Sequence, residues 1–596
     1  MAASTGTQTT AADLGARVIY ELPLFDLQGG VRTINIKSVA IDGCIRLVDC
    51  VAFALNNVLK IWEFPEPPLQ EFKNFSSWPD FKYSAISYVW KGNPIDPHTT
   101  TSVNDSGFLV VDGAEDADPI SVDVLRSACL ASLQEDEVGR WRMVSRAEYI
   151  WLDRLCIVQT SKRDKAYQIS QMYQLYACCT QCLIIAGGLG RLVCLDEETT
   201  WANRAWTLQE CLAPHYPIVL FSWTRGTGRF IGVSAFKLRE VGHGTGTALA
   251  RFIDLVRACI DKPNVFNACP LHAPLSDLNK PSVIAAGTPL DIRIFGKGHA
   301  DLFALRQTRL NFQNSSEPYH PASTRRCYSM VWRCALMRAS SRPVDMVLSI
   351  MGLMGVSLNP ADFNAHDRLK ATLALASSIM NSGGSADWLG LPARIPPCPQ
   401  MSTFPQFART DVTGCVEYLV SDKWCPARSL DDWFFAESSW TSTEIWPWER
   451  LYGSVDENGY LIFTRKGCAV IRETATIADQ EGKIGWPLLE AVDGTIWRFL
   501  EKVKHSPGTT PKNVAIPLWG FREHIMMNEV HVADAQFAIP AIKFMLVERH
   551  DTGKYHLVSY FYVHNEKEGP WKSRVESWYS YRFAIGGPEP LPRWHT

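Results

Sequence analysis

The strongest constraint on the fold is an alternation of short apolar segments with amphipathic ones between residues 83 and 221. Residues 83–90, 149–152, 182–186 and 218–221 are short and rich in aromatic and branched apolar residues, a composition typical of buried strands. Helical patterns lie between them. Strands that alternate with helices favour a parallel sheet, because each crossover helix returns the chain to the same end of the sheet. We therefore predict an α/β fold with a doubly wound, mostly parallel sheet.

The intervening helices are predicted from the spacing of their apolar positions. Residues 121–134 have Ser121 as a candidate N-cap and the acidic Asp123 in the first turn, where the helix dipole favours negative charge. Residues 163–179 repeat apolar side chains every three or four positions, and residues 203–212 form a shorter helix. Ligands of parallel sheets bind beyond the carboxyl ends of the strands. A site in this region is therefore expected just after a strand.

The length of the chain implies more than one domain, because 596 residues exceed what a single hydrophobic core serves. We predict an N-terminal extension over residues 1–80 that packs on the next domain, and the α/β domain over 81–225. A mainly helical region follows over 226–395, then a β-rich region over 396–596. Within the α/β domain the polar, Gly-rich stretch 95–118 is predicted as a loop.

Composition limits the classes of function. The formal net charge is −3 and no basic run is present, so we expect no nucleic-acid partner. No apolar stretch reaches the roughly 18 residues of a spanning helix, and the N-terminus lacks the apolar segment of a secretory signal. The 17 dispersed cysteines indicate reduced thiols, hence a cytoplasmic location. The C-x-x-C at residues 179–182 lacks further ligands at metal-site spacing, so no metal site is expected.

Three motifs, in order, resemble the fungal heterokaryon incompatibility (HET) domain. They are Tyr-Ser-Ala-Ile-Ser-Tyr-Val-Trp at residues 83–90, Ile-Trp-Leu-Asp-Arg-Leu-Cys-Ile-Val-Gln at 150–159, and Trp-Ala-Asn-Arg-Ala-Trp-Thr-Leu-Gln-Glu at 201–210. The segment 342–353 is similar to one found downstream of such domains. HET domains are similar in fold to Toll/interleukin-1 receptor (TIR) domains, some of which cleave NAD. The resemblance therefore implies a TIR-like α/β domain over 81–225.

The resemblance also implies a function. Fungal HET proteins act in self/non-self recognition and induced cell death, a form of innate immunity, with other incompatibility or signalling proteins or a second copy of the chain as partners. No bound cofactor is implied, and NAD is a candidate substrate. The alternative is a non-enzymatic recognition or scaffold protein with a degenerate HET domain. Two departures from the family pattern keep that alternative open: Lys91 precedes Gly92, and Val158 replaces the usual Asn.

Glu210 is the candidate catalytic residue. Cleavage of a glycosidic bond passes through an oxocarbenium-like state, which a nearby carboxylate stabilises. A structural role is the alternative, in which Glu210 caps its short helix or pairs with Arg204. Asp153 follows a predicted strand at the ligand-binding edge of the sheet and could hold a ribose, or else pair with an arginine.

The remaining candidates are ligand-binding residues. Trp90 and Trp206 could stack on a base, although core packing is the usual role of a Trp. The hydroxyl of Ser87 could hydrogen-bond a ligand, although buried hydroxyls satisfied by the protein are common. Arg204 completes the set through its place in the third motif.

Overall fold

The computed structural model of the chain describes residues 15–27, 29–65, 82–94, 106–135, 146–232, 236–242, 245–260, 264–268, 287–296, 302, 304–306, 308–310, 328–391, 395–410, 415–420, 423–427, 451–473, 488–500, 511–524, 538–564 and 568–593. The chain divides into two units. The first contains Met1–Ser316, Leu348–Leu353 and Ser357–His366, and the second contains Glu317–Val347, Met354–Val356 and Asp367–Thr596.

Fifteen strands and six α-helices are described between the N-terminus and residue 300. The strands are β1 (Arg17–Pro23), β2 (Val31–Ile34), β3 (Ile45–Asp49), β4 (Val58–Phe64), β5 (Tyr83–Tyr88), β6 (Phe108–Val111), β7 (Ile120–Ser121), β8 (Tyr149–Trp151), β9 (Gln181–Ile185), β10 (Pro217–Ser222), β11 (Gly228–Gly232), β12 (Phe236–Glu240), β13 (Thr247–Arg251), β14 (Asn264–Ala268) and β15 (Thr288–Pro289). The helices are α1 (Cys50–Ala54), α2 (Val122–Leu133), α3 (Asp153–Cys156), α4 (Lys162–Cys178), α5 (Ala205–Leu212) and α6 (Phe252–Ile260).

The main sheet of the first unit has twelve strands in the order β1-β4-β3-β8-β5-β9-β10-β13-β12-β11-β14-β15. The pairings β8–β5, β5–β9 and β9–β10 are parallel. Every residue of β5 and of β9 is buried, as expected for parallel strands with both faces covered. The predicted α/β character is therefore confirmed, and all four strands predicted between residues 83 and 221 are present.

The crossover helices also follow the sequence prediction. Ser121 caps α2, and its side chain accepts a hydrogen bond from the backbone N–H of Val124. The α2 helix packs against α1, whereas α4 packs against α5. These helices cover the central strands and bury their apolar residues.

The sheet is less parallel than predicted, because antiparallel strands extend it on both sides. β3 pairs with β8 at one side of the parallel group, and β13 pairs with β10 at the other. β11–β14 lie in a segment predicted to be mainly helical, and their aromatic residues pack across strands, with Phe230 stacked on Phe236 at 4.6 Å. Alternate burial in β12 is a strand pattern that the sequence interpretation missed. "Mostly parallel" is correct only for the four central strands.

A second difference lies in the segment 95–118, which was predicted to be a loop. Its described part contains β6, which pairs in parallel with β2 from the N-terminal segment. β2 and β6 form a three-stranded sheet with β7. A four-residue strand between polar turns carries too little periodic signal to be distinguished from a loop.

A buried ion cluster joins the N-terminal strands to α4. Arg46 on β3 is fully buried and donates to Glu63 on β4 at 3.0 Å and to Asp164 on α4 at 3.0 Å. Burial alone would lower the pKa of Arg46, but Asp164 and Glu63 more than offset this effect and raise it. The same guanidinium donates to the carbonyl of Cys156 at 3.0 Å. Residues 45–64 are thereby fixed to the segment that follows the second motif.

The remaining described elements are mostly strands. The strands are β16 (Arg409–Thr410), β17 (Val416–Val420), β18 (Lys423–Pro426), β19 (Ser454–Val455), β20 (Leu461–Glu473), β21 (Leu489–Glu490), β22 (Ile496–Phe499), β23 (Asn513–His524), β24 (Ala538–Asp551), β25 (Lys554–His564) and β26 (Tyr579–Ile585). The helices are α7 (Tyr328–Leu336), α8 (Asp345–Met351), α9 (Arg368–Asn381) and α10 (Glu568–Ser577).

The larger sheet of the second unit contains β20 and β23–β26, and the pairing of β26 with β20 joins these five strands in a ring. Its core is aromatic: Phe544 stacks on Phe561 at 4.8 Å, and Trp571 packs against both Phe544 and Phe499. The four-part division of the chain stays a prediction. Within the described residues, no helix has both the length and the apolar character needed to cross a membrane.

Candidate functional site

Strand β5 supplies two adjacent polar side chains that reach different partners. Ser87 and Tyr88 project to opposite faces of the sheet, because neighbouring side chains on a strand alternate. The Ser87 hydroxyl donates to Oε2 of Glu210 on α5 at 2.6 Å. The indole Nε1 of Trp201 donates to the same hydroxyl oxygen at 2.9 Å. Two predicted site residues, Ser87 and Glu210, are therefore in direct contact, and Glu210 is 7% exposed.

Asp153 gathers a second set of donors just beyond the end of β8. The hydroxyl of Tyr88 donates to its Oδ1 at 2.5 Å, and Nε1 of Trp90 donates to its Oδ2 at 3.1 Å. Burial and the negative charge of Asp153 raise the pKa of Tyr88 well above its usual value, with Arg154 acting in the opposite direction. Asp153 thus has phenol and indole partners, and the backbone N–H of Arg154 also donates to its Oδ1 at 2.6 Å.

Tyr176 on α4 lies within electrostatic range of both carboxylates. Burial raises its pKa well above the usual value, and the negative charges of Glu210 and Asp153 add to that effect. Its hydroxyl donates to the carbonyl of Ile86 on β5 at 2.8 Å. Each predicted carboxylate also has a hydrogen-bond partner on the carboxyl half of β5, Ser87 for Glu210 and Tyr88 for Asp153.

Arg154 is a functional candidate that the sequence interpretation missed. It is 3% exposed, and one of its terminal nitrogens, Nη1, donates to the carbonyl of Asp118. Nε and Nη2 are buried and have no hydrogen-bond partner among the described residues. The guanidinium carbon lies 5.2 Å from the centre of the Tyr88 ring, a cation–π contact. An arginine beside Asp153 at a strand end was a signal available in the sequence.

The loops after β5 and β9 meet beside this region. The backbone N–H of Asn93 donates to the carbonyl of Gly187 at 2.9 Å. A Cβ on Gly92 would lie 1.9 Å from that carbonyl oxygen, so no larger residue fits without a shift of the loop. Gly188 has φ +90°, a conformation that favours glycine.

The other predicted residues lie on or next to α5. Arg204 is the N-cap residue of α5, and its carbonyl accepts a hydrogen bond from the Thr207 hydroxyl at 2.8 Å. Trp206 is half-buried in the first turn, one turn before Glu210. Both residues therefore belong to the element that carries Glu210, and their contact with a ligand stays a prediction.

The cysteines of the C-x-x-C are packing residues in the structure. Burial raises the pKa of the Cys179 and Cys182 thiols, which makes them poor ligands and nucleophiles at neutral pH. Across the described ranges, no group of three or more His, Cys, Asp or Glu side chains is arranged to hold a metal ion.

Comparison with known proteins agrees with the first two motifs, whereas the third, at 201–210, lies outside the matched residues. Residues 83–194 match the family model described as heterokaryon incompatibility protein (HET). Searches of curated proteins and of solved structures returned no significant match. The matched segment begins at β5 and includes Ser87, Asp153 and Arg154, whereas Glu210 lies sixteen positions after its end. The chain therefore carries a heterokaryon incompatibility domain over residues 83–194.

Proposed function

We propose that this chain is a heterokaryon-incompatibility-type protein of self/non-self recognition and induced cell death, whose HET domain cleaves NAD or a related nucleotide. The order β8-β5-β9-β10, with α2 apart from the packed pair α4 and α5, supports a doubly wound, TIR-like arrangement of this domain. A cytoplasmic location and a self-assembled active form belong to the same proposal.

The observation that carries the proposal is that adjacent residues at the carboxyl end of β5 contact two carboxylates, Ser87 with Glu210 and Tyr88 with Asp153, and that the buried cation of Arg154 lies over the Tyr88 ring. Arg154 has two buried nitrogens, Nε and Nη2, without acceptors among the described residues, and a diphosphate would supply acceptors of opposite charge. Asp153 is partly exposed and accepts from Tyr88 and Trp90, so it can exchange one donor for a ribose hydroxyl. The three groups suit an anionic, sugar-containing ligand.

Glu210 performs the chemical role in this proposal. As the bond between ribose and nicotinamide breaks, positive charge develops on the ribose ring, and a nearby carboxylate stabilises it. Nicotinamide leaves as a neutral molecule with the electron pair of the broken bond, water adds to the ribose carbon, and the surplus proton of that water is released to solvent. The Ser87 hydroxyl donates to the Glu210 carboxylate and orients it, and the indole N–H of Trp201 donates to the same hydroxyl and fixes its position.

The test is release of nicotinamide from NAD by the purified full-length chain. Glu210→Gln keeps the volume of the side chain and an oxygen acceptor for Ser87 but removes the charge, so we expect release to fall by about 100-fold or more. Glu148→Gln is the matched control, because Glu148 is partly exposed and forms only a 3.5 Å ion pair with Arg146. Equal rates in Glu210→Gln and wild type would refute the catalytic role.

A second candidate function is non-enzymatic recognition or scaffolding by a degenerate HET domain. The observation that favours it is the burial of Glu210, which is 7% exposed and already has a hydrogen-bond donor in Ser87. A carboxylate in that state also serves simply to fix α5 against β5. Absence of nicotinamide release at every protein concentration, with a folded wild-type protein, would favour this function over the first.

A further inference from the structure

Two histidines bring ring nitrogens together on the hairpin of β24 and β25 in the second unit. Nδ1 of His556 on β25 lies 3.3 Å from Nδ1 of His550 on β24, and the ring centres are 5.3 Å apart. The strand register shifts between Arg549 and Asp551, so His550 is left out of the regular pairing with β25. A break of this kind re-aims the side chain of the extra residue. It falls at the residue whose ring meets His556.

The hydrogen bonds of Tyr460 fix which nitrogen of His550 carries the proton. The Tyr460 hydroxyl donates its single proton to the carbonyl of Gly587 at 3.0 Å, because a carbonyl oxygen can only accept. Nε2 of His550 is also 3.0 Å from that hydroxyl and therefore donates to its oxygen. A neutral His550 then has its lone pair on Nδ1, the nitrogen that faces His556. Histidines that bind a metal through one nitrogen almost always donate the other N–H in this way.

The surroundings favour the neutral form of both rings, which is the form that binds metals. Burial and the neighbouring His556 lower the pKa of His550. The charge of Asp551 opposes that shift, and the charge of Lys554 adds to it. Burial also lowers the pKa of His556, opposed by Glu548. At neutral pH a lone pair on His550 is therefore available without the loss of a proton.

The separation of the two Nδ1 atoms matches an edge of a metal coordination tetrahedron. Two nitrogens bound to one Zn²⁺ at about 2.0–2.1 Å, with a tetrahedral angle of about 109° between them, lie about 3.3–3.4 Å apart. The two Nδ1 atoms are 3.3 Å apart before any metal is added. In the metal-free protein His556 donates from Nδ1 to His550. Metal binding requires only that this proton move to Nε2 of His556 by exchange with solvent.

We propose that His550 and His556 bind one Zn²⁺ or a similar divalent transition-metal ion through their Nδ1 atoms. Imidazole is a preferred ligand of these ions. Because the described residues contain no group of three or more His, Cys, Asp or Glu side chains arranged around a metal, water completes the coordination. Both rings are partly exposed, which gives the ion and this water access. Tyr460 is a positioning residue for His550, and the site is independent of nucleotide cleavage by the HET domain.

The test follows carbethoxylation of individual histidines by diethyl pyrocarbonate, mapped by mass spectrometry, as Zn²⁺ is added to the chelator-treated full-length protein. The reagent attacks a free imidazole lone pair, which a bound metal occupies. At ten times the Kd about one site in eleven is empty, so the labelling rates of His550 and His556 should both fall about 11-fold. The exposed His366 is the internal control and should be labelled at an unchanged rate.

Variants connect the protection to the pair. In His556→Gln zinc should no longer protect His550, and in His550→Gln it should no longer protect His556, because one imidazole alone binds too weakly. Tyr460→Phe keeps the ring but removes the acceptor for Nε2 of His550, so the zinc concentration that gives half-protection should rise about 10-fold or more. His366→Gln is the matched control and should leave the protection of both histidines intact.

Three results would overturn the proposal. The first is no protection of His550 and His556 by millimolar zinc, and the second is equal protection of His366. The third is protection that persists at one member of the pair after the other is replaced. If a variant of the pair fails to fold, the comparison with His366 in the wild type decides.

Discussion

Replacement of Arg46 by Met should destabilise the first unit by about 5 kcal/mol. Arg46 and Asp164 are both fully buried, and removal of the guanidinium leaves Asp164 with the Val158 N–H, at 2.8 Å, as its main remaining donor. An uncompensated buried charge costs about 3–5 kcal/mol. The carbonyls of Cys156 and Ile41 also lose a charged donor, which adds about 1 kcal/mol each at most.

Glu63 contributes less to this loss. It keeps Arg17 at 2.7 Å and the backbone N–H of Ile41 at 2.8 Å. Arg17→Met is therefore the matched control: Arg17 contacts the same carboxylate, but its side chain is 50% exposed, and such a pair contributes at most about 1 kcal/mol. The double variant Arg46→Met, Asp164→Asn removes both charges and should recover at least about 2 kcal/mol of the loss.

The assay is equilibrium urea unfolding followed by Trp fluorescence, with a fit that allows for two units. The account of the cluster is refuted if Arg46→Met costs less than about 1 kcal/mol, the scale of an exposed pair. It is equally refuted if the double variant is no more stable than Arg46→Met alone.

Three further outcomes are expected. Gly92→Ala should destabilise the first unit by about 3 kcal/mol, because the new Cβ would meet the carbonyl oxygen of Gly187. Gly190→Ala is the control: its Cβ would lie 3.9 Å from the carbonyl oxygen of Pro119, and its stability in the same unfolding assay should stay near that of the wild type. The residue Cys194 is exposed, but its sulfur is partly desolvated, and this desolvation together with nearby Glu and Asp side chains raises the pKa of the thiol from 9.0. Mass-spectrometric mapping of iodoacetamide labelling should therefore show a labelling rate that still rises above pH 9. A plateau by pH 8 would contradict this. Burial and the neighbouring His556 lower the pKa of His550 below 6.5. Because the unfolded chain then binds the proton more readily than the folded chain, the second unit should lose stability as pH falls through and below 6.5. His550→Gln should reduce that loss, measured as the difference between the urea midpoints at pH 8 and pH 5.5.

The central strands could be predicted because each is short, apolar and bounded by turn residues. β5, β8, β9 and β10 all lie within two residues of their predicted ends, and the cap at Ser121 follows from local chemistry alone. The contact between the Ser87 hydroxyl and Glu210 could not be predicted, because the hydrogen bond joins residues 123 positions apart in the sequence. Such contacts depend on strand order and helix placement, which local patterns do not specify.

Edge strands and buried ion pairs were the main features that sequence reasoning did not find. β11–β14 pair antiparallel beside a parallel core, and their assignment depends on which neighbours cover them. Arg46 lies in an apolar strand, where a charged residue usually argues against burial. Its two carboxylate partners come from β4 and α4, so only the folded chain brings the cluster together.

The measurement that tests the proposed function most directly is nicotinamide release from NAD by the purified full-length chain over a range of protein concentrations. Wild type and Glu148→Gln should release nicotinamide at matching rates, and Glu210→Gln should release almost none. Where the active form is an assembly of several chains, the rate should rise more steeply than in proportion to protein concentration. No release by folded wild type at any concentration would contradict nucleotide cleavage and leave recognition through contacts as the function of the HET domain.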